Sequence, residues 1–309
     1  MKNKGVFMVL GAAVCWGLSG SAAQLFFQHF QSTPGLLVAV RLLSAGILMI
    51  VLQCLVKGTG SAFSVWSHRK DRITLLIFGI LGMLGVQYTF FAAIHYGNAA
   101  TATLLQFLGP VFIIVFVSMR LRQRPGGKEL IAFVLALVGI FFMTTGGSVS
   151  TLSISVEAFV WGILSALAAA FYTLYPRKLL AVWGPVPVVG WSMVIGGVGL
   201  SMFNPPWHFD WSQGSLSLYA LLLFIVIIGT IIPFYLFLDS LRFVTPAQAS
   251  ILSSAEPLTA VLVGIAFLQT AMDAVQLIGS LCIIVAVVVL TFRPARKHSV
   301  GGKANDAGL

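Results

Sequence analysis

Charge is scarce in this chain. Only 8% of its 309 residues are Asp, Glu, Lys or Arg, while 59% are hydrophobic. A soluble domain carries roughly 25% charged residues. The balance excludes a soluble globular fold and indicates an integral membrane protein. Cysteine is also rare. Cys15, Cys54 and Cys282 lie inside apolar runs without ligand spacing, so they read as small core residues rather than metal or redox groups. The chain has no HExxH, no glycine-rich nucleotide loop, no Cys/His cluster and no acidic pair on facing helices. These absences argue against a membrane enzyme or a pump with its own nucleotide site, and no cofactor is expected. There is no low-complexity tract, and only the stretch after Phe292 reads as a disordered end.

What is present is long apolar runs. A helix needs about 20 mostly apolar residues to cross the hydrocarbon layer. Ten runs fit, at 5–27, 34–56, 72–94, 98–119, 128–147, 156–176, 185–203, 215–239, 244–268 and 273–292. Most connections are short, so neighbouring spans are antiparallel. Lys2, Lys4 and Ser21-Ala22-Ala23 give the first run some look of a signal peptide. It is long for one, and its counterpart in the second half is internal, so it reads as a span.

Seventeen of the eighteen Lys and Arg residues fall in alternate connections and at the two ends. By the positive-inside rule both termini are cytoplasmic. The basic surplus of 18 against 8 then reflects topology and attraction to anionic lipid, not a nucleic-acid surface. Trp66, Trp207 and Trp211 flank the runs and read as interface-belt residues.

The chain also resembles itself. Asn98–Pro110, NAATATLLQFLGP, lies over Thr245–Pro257, TPAQASILSSAEP, at an offset of 147 residues. At that offset Gly82 meets Gly229, Tyr88 meets Tyr235, Phe90 meets Phe237 and Pro110 meets Pro257. Sixty pairs from 80/227 to 139/286 contain twelve identities. The constant register carries more weight than the count. The expected fold is therefore an all-α membrane protein of ten transmembrane helices in two five-helix repeats. They occupy 1–147 and 148–292, followed by a cytoplasmic tail at 293–309. Five spans per copy is odd, so the second copy is threaded upside down, an arrangement that supports alternating access. Ala13, Gly17 and Ser21, then Gly79, Gly82 and Gly85, then Gly196, Gly197 and Gly199 are small residues that permit close helix contact.

Ionisable groups inside a bilayer are costly and are functional candidates. Glu256 lies about twelve residues into the ninth run, ~18 Å deep at ~1.5 Å per residue. Pro257 follows it and frees a backbone carbonyl one turn back. Ser250, Ser253 and Glu256 recur every three residues, and Thr103, Gln106 and Gly109 are their repeat partners. Two polar lines at one depth suggest two walls of a cavity; the competing reading of Glu256 is a packing group with no transport role. Arg41 is the one base inside a run, ~10 Å below the outer surface. It reads as a carboxylate-binding fork, a snorkelling cation or a cap for helix ends. Trp16, Tyr88, Tyr172, Trp191 and Tyr235 lie well inside their runs, and Trp16 falls on Tyr172 when the first helices of the halves are aligned. Such rings either pack or wall a cavity that takes a cation or another ring. Asp239 with Arg242 reads as an interfacial pair, and Glu157, Asp210 and Asp273 as solvated or dipole-complementing carboxylates.

With AAVCWG in the first run, NAATATLLQFLGP in the fourth and AEPLTAVLVG in the ninth, the chain resembles the drug/metabolite transporter superfamily of EamA type over roughly residues 5–292. The stretches PVVGWSM and ASILSSAEPL extend the likeness to a bacterial inner-membrane branch. The resemblance implies a secondary carrier with a central cavity between the halves. It places Trp16, Tyr88, Gln106, Tyr172, Trp191, Tyr235 and Glu256 near that cavity. Many members carry a glutamate just after the fourth and ninth helices. The endings here are MRLRQR and AFLQTA, so no role of that acid carries over.

The expected function is transport of a small organic metabolite across the cytoplasmic membrane, with export of an amino acid or related compound first. Glu256 would pair with a substrate amine or take a proton, which opens a route to proton coupling. Gln106 and Ser253 would hydrogen-bond, Arg41 would meet a carboxylate, and the aromatic residues would form walls. Membrane lipid and the solute are the expected partners; the oligomeric state is open. An importer of a small cation such as choline, and a lipid-linked sugar flippase, are the alternatives. A non-transporting partner or sensor would need no inverted repeat.

Overall fold

The computed structural model describes residues 2–30, 32–120, 126–147, 153–209, 211, 215–240, 243–244, 249 and 252–291. Ser250, Asp210, Arg122, Arg124, Arg242 and the 293–309 tail lie outside the described residues. All regular structure among the described residues is helical. The main helices are α1 (Lys2–Phe30), α2 (Pro34–Lys57), α3 (Arg69–Tyr96), α4 (Ala99–Gln106), α5 (Gly109–Arg120), α6 (Gly127–Thr145), α7 (Val156–Leu174), α8 (Pro185–Ser201), α9 (Leu216–Phe237), α10 (Ala255–Phe267) and α11 (Ala274–Thr291), with short helical turns such as Thr59–Phe63 and Arg177–Trp183 between them.

Local chemistry starts these helices. Thr33 Oγ1 accepts from Leu36 N ahead of α2, with Pro34 at its first position. Asn98 caps α4, Ser155 caps α7 and Ser215 caps α9, each accepting a backbone N–H three residues on. Asp273 and Gln276 form a reciprocal capping box at α11, with bonds of 2.7 and 3.0 Å. Glu157 sits in the first turn of α7, where a carboxylate complements the helix dipole.

Five helices are long and apolar enough to cross a membrane: α1, α2, α3, α7 and α9. Five shorter apolar segments accompany them: Ala99–Ile113, Leu130–Thr145, Pro185–Ser201, Ala255–Phe267 and Ala274–Val289. Large apolar side chains such as Ile47, Leu48, Val51 and Leu55 of α2, and Leu262 and Phe267 of α10, are exposed. Exposed apolar surface on this scale suits lipid rather than water.

The fourth and ninth runs are not the continuous helices expected. The fourth breaks at Phe107-Leu108, between α4 and α5, two residues before Pro110. The ninth turns at Ser253-Ser254, so Glu256 stands in the first turn of α10 instead of deep in an unbroken helix. Proline explains both: it has no N–H to give to the carbonyl four residues back. The Ser253 carbonyl accepts from Glu256 N at 3.0 Å instead.

α3 and α9 each contain a π-helical stretch, Phe78–Leu84 and Ile227–Ile231. α1 packs against α9 and α10, while α7 packs against α3 and α4. α2 crosses α8, α6 crosses α11, and α4 meets α10. The α6–α11 crossing is a backbone contact: a Cβ on Gly139 would lie 2.7 Å from Gly279 O. The α2–α8 crossing is similar, with Gly46 against Gly190 O at 2.9 Å.

Candidate functional site

The helix breaks border a cavity of about 220 Å³. Its wall takes Trp16 and Ser19 from α1, Arg41 from α2, Gln87 and Phe90 from α3, and Gln106 from α4. Tyr172 of α7, Phe234 of α9 and Glu256 of α10 also line it. Gly17 lets α1 reach α10 here, since a Cβ at that position would lie 2.7 Å from Glu256 O.

Arg41 is almost wholly buried, at 5% exposure. It does not snorkel. Its Nε donates to Thr230 Oγ1 at 2.7 Å and its Nη2 to Gly229 O at 2.9 Å. Its guanidinium lies 4.8 Å from the centre of the Phe91 ring. Both polar partners belong to the π-helical stretch of α9. A π turn disturbs the regular ladder and is frequent at functional sites; here its carbonyl orients the base. Arg41 and Glu256 thus place one positive and one negative group in one cavity.

The remaining expected residues divide. Trp16 lines the cavity against Phe234, with ring centres 5.6 Å apart. Tyr172 lines it and stacks on Phe78. Gln106 lines it and donates from Nε2 to Ser165 Oγ at 2.7 Å. Four expected residues do not line it. Tyr88 is half-buried with its ring edge-on to Trp161. Tyr235 is 65% exposed on the outside of α9. Trp191 donates from Nε1 to Ala62 O at 2.7 Å and packs against Phe63 and Trp66. Ser253 gives its hydroxyl to Ala249 O at 2.9 Å, as a turn serine does.

Sequence reading missed Gln87, Ser19 and Phe234. Gln87 and Phe234 each precede an expected tyrosine and are partners at the 147-residue offset. The tyrosines marked the right depth and the wrong side of each helix. A polar Gln beside Tyr88 in an apolar run was the available signal. Among the described residues no group of three or more His, Cys, Asp or Glu converges to hold a metal.

An all-helical membrane fold with a polar, charged cavity at helix breaks is the architecture of a membrane transporter. The model of the EamA-like transporter family matches residues 3–145 and 157–292, and the chain belongs to that family. The family is one of transporters, not enzymes. The chain is 40% identical to the inner membrane transporter YicL of Salmonella typhimurium, itself uncharacterised, over 96% of this chain and 97% of that one. It is 27% identical to the threonine/homoserine exporter RhtA of the same species, over 72% of this chain and 73% of RhtA. A crystal structure 18% identical in sequence superposes with a TM-score of 0.61, over 94% of this chain and 96% of the other, which shows the fold alone.

Proposed function

We propose that the protein is a secondary carrier that moves a small metabolite, an amino acid or close relative, out across the bacterial cytoplasmic membrane. It does so with ten spans in two inverted repeats, 1–147 and 148–292, and both termini inside. The observation that carries this reading is the cavity itself. It combines a buried base, Arg41, with a half-buried acid, Glu256, beside two proline-marked helix breaks. Discontinuous helices meeting near mid-membrane are a recurring design of solute sites in secondary carriers.

The repeat reading has independent support. The family model matches two successive segments. Helix pairings map onto themselves when the halves are exchanged: α1 with α9 and α10 becomes α7 with α3 and α4. The π stretch Ile227–Ile231 lies 147 residues beyond Ile80–Leu84, within the other π stretch. Trp16 and Tyr172, and Gln87 and Phe234, are related pairs lining one cavity.

An amino acid fits the chemistry. Glu256 takes the amine or a proton, Trp16 and Tyr172 stack on the solute, and Gln106 supplies an amide oxygen. The 220 Å³ volume lies below the ~300–1,000 Å³ of drug-sized sites, which disfavours a lipid-linked sugar. The Trp16, Tyr172 and Glu256 set also suits import of a small quaternary cation. Counterflow in proteoliposomes tests the reading. Wild-type protein loaded with the solute exchanges it, and Glu256→Gln does so at least tenfold more slowly. If Glu256→Gln exchanges like wild type at every pH, Glu256 has no part in transport.

A further inference from the structure

We propose that Arg41 and Gln87 form a carboxylate subsite in the cavity, so that the transported solute carries a monocarboxylate group. The inference rests on the carrier reading and narrows its substrate.

Arg41 is charged and buried, yet its protein partners are neutral: a hydroxyl, a carbonyl and a ring face. Among the described residues it makes no ion pair. Its hydrogen bonds occupy two of the five guanidinium donors. A buried charge ordinarily has a counter-charge. Glu256 borders the same cavity and is its electrostatic counterpart there, but the two make no hydrogen bond or contact ion pair. The base is thus held in place by α9 and left with donors to spare.

A second polar group in the same lining lacks a partner. Gln87 is 8% exposed and lines the cavity, and its amide bonds to no described residue. Guanidinium and amide share one capacity: each donates. An ionised carboxylate only accepts, with about four lone-pair positions. One guanidinium balances one negative charge, which favours a monocarboxylate over a phosphate, particularly with Glu256 in the same space.

Gln87→Leu is the informative variant, because it breaks no protein hydrogen bond. The probes are L-threonine, its deaminated analogue 3-hydroxybutyrate, and its decarboxylated analogue 1-aminopropan-2-ol, added to the purified protein and followed by melting temperature. Wild type is stabilised by threonine and by 3-hydroxybutyrate. Gln87→Leu needs at least ten times more of either carboxylate for the same shift. Its response to 1-aminopropan-2-ol is unchanged. Arg41→Lys keeps the charge but loses the fork, and weakens both carboxylates. Equal carboxylate responses in wild type and Gln87→Leu overturn the subsite, as does a wild type that responds to neither carboxylate. A wild type shifted by the amino alcohol alone overturns the subsite and leaves the carrier intact, whereas a wild type without counterflow would sink the carrier itself.

Discussion

Glu256 and Arg41 reach the cavity by opposite means. Arg41 is buried in mid-helix and held by three contacts from other helices. Glu256 is presented by the end of a helix, with Gly17 packed against its carbonyl. Gly17→Ala would push the new Cβ into Glu256 O and Thr259. It should slow counterflow in the same direction as Glu256→Gln while leaving the carboxyl in place, and solute affinity checks it. Tyr235 supplies the contrast. It is 65% exposed on the apolar exterior, so Tyr235→Phe should exchange solute within twofold of wild type. Depth along a helix was legible for both tyrosines from run length and repeat register. Direction was not, because an apolar span has lipid on one side and protein on the other and no polar face to tell them apart. Trp191 misled for a related reason. A ring inside a run looks like a cavity wall, and only the fold brings the Ala62 carbonyl to its indole N–H.

At the scale of elements, the two prolines were readable as punctuation but not as full breaks. Pro110 and Pro257 each remove one backbone bond; the turns at Phe107-Leu108 and Ser253-Ser254 depend also on neighbouring helices that accept the interruption. The π stretches had no sequence signal at all. Phe78–Leu84 and Ile227–Ile231 are as apolar as their surroundings, and the extra residue per turn follows from packing. Their consequence is concrete: Gly229 O becomes an acceptor for Arg41. Thr230→Val removes the companion acceptor and keeps the shape. It should leave a buried donor unpaired, at about 1–3 kcal/mol, and lower the melting temperature of the purified protein. Gly139→Leu at the α6–α11 crossing should be worse. Its Cβ alone would meet the Gly279 carbonyl at 2.7 Å, and the two helices must separate. Loss of folded protein in detergent, read by size-exclusion chromatography, is the expected outcome.

For the whole molecule, composition alone separated membrane from water, and the family followed from the matched segments. Topology is a different matter. Seventeen basic residues on alternate connections and at the two ends predict that both ends face the cytoplasm, and reporter fusions at the two termini should both be active inside the cell. The central claim is that one cavity, shared by both halves and centred on Glu256, binds the solute. Ligand stabilisation of purified protein tests it most directly, across amino acids, amines and choline-like cations, with wild type beside Glu256→Gln and Tyr235→Phe. A ligand that binds only the folded state adds about 2.7 kcal/mol at a hundred times its Kd. The account predicts that one chemical class raises the melting temperature of wild type and Tyr235→Phe and loses its effect in Glu256→Gln. A class that stabilises Glu256→Gln as strongly as wild type, or a wild type that no compound shifts, would contradict it.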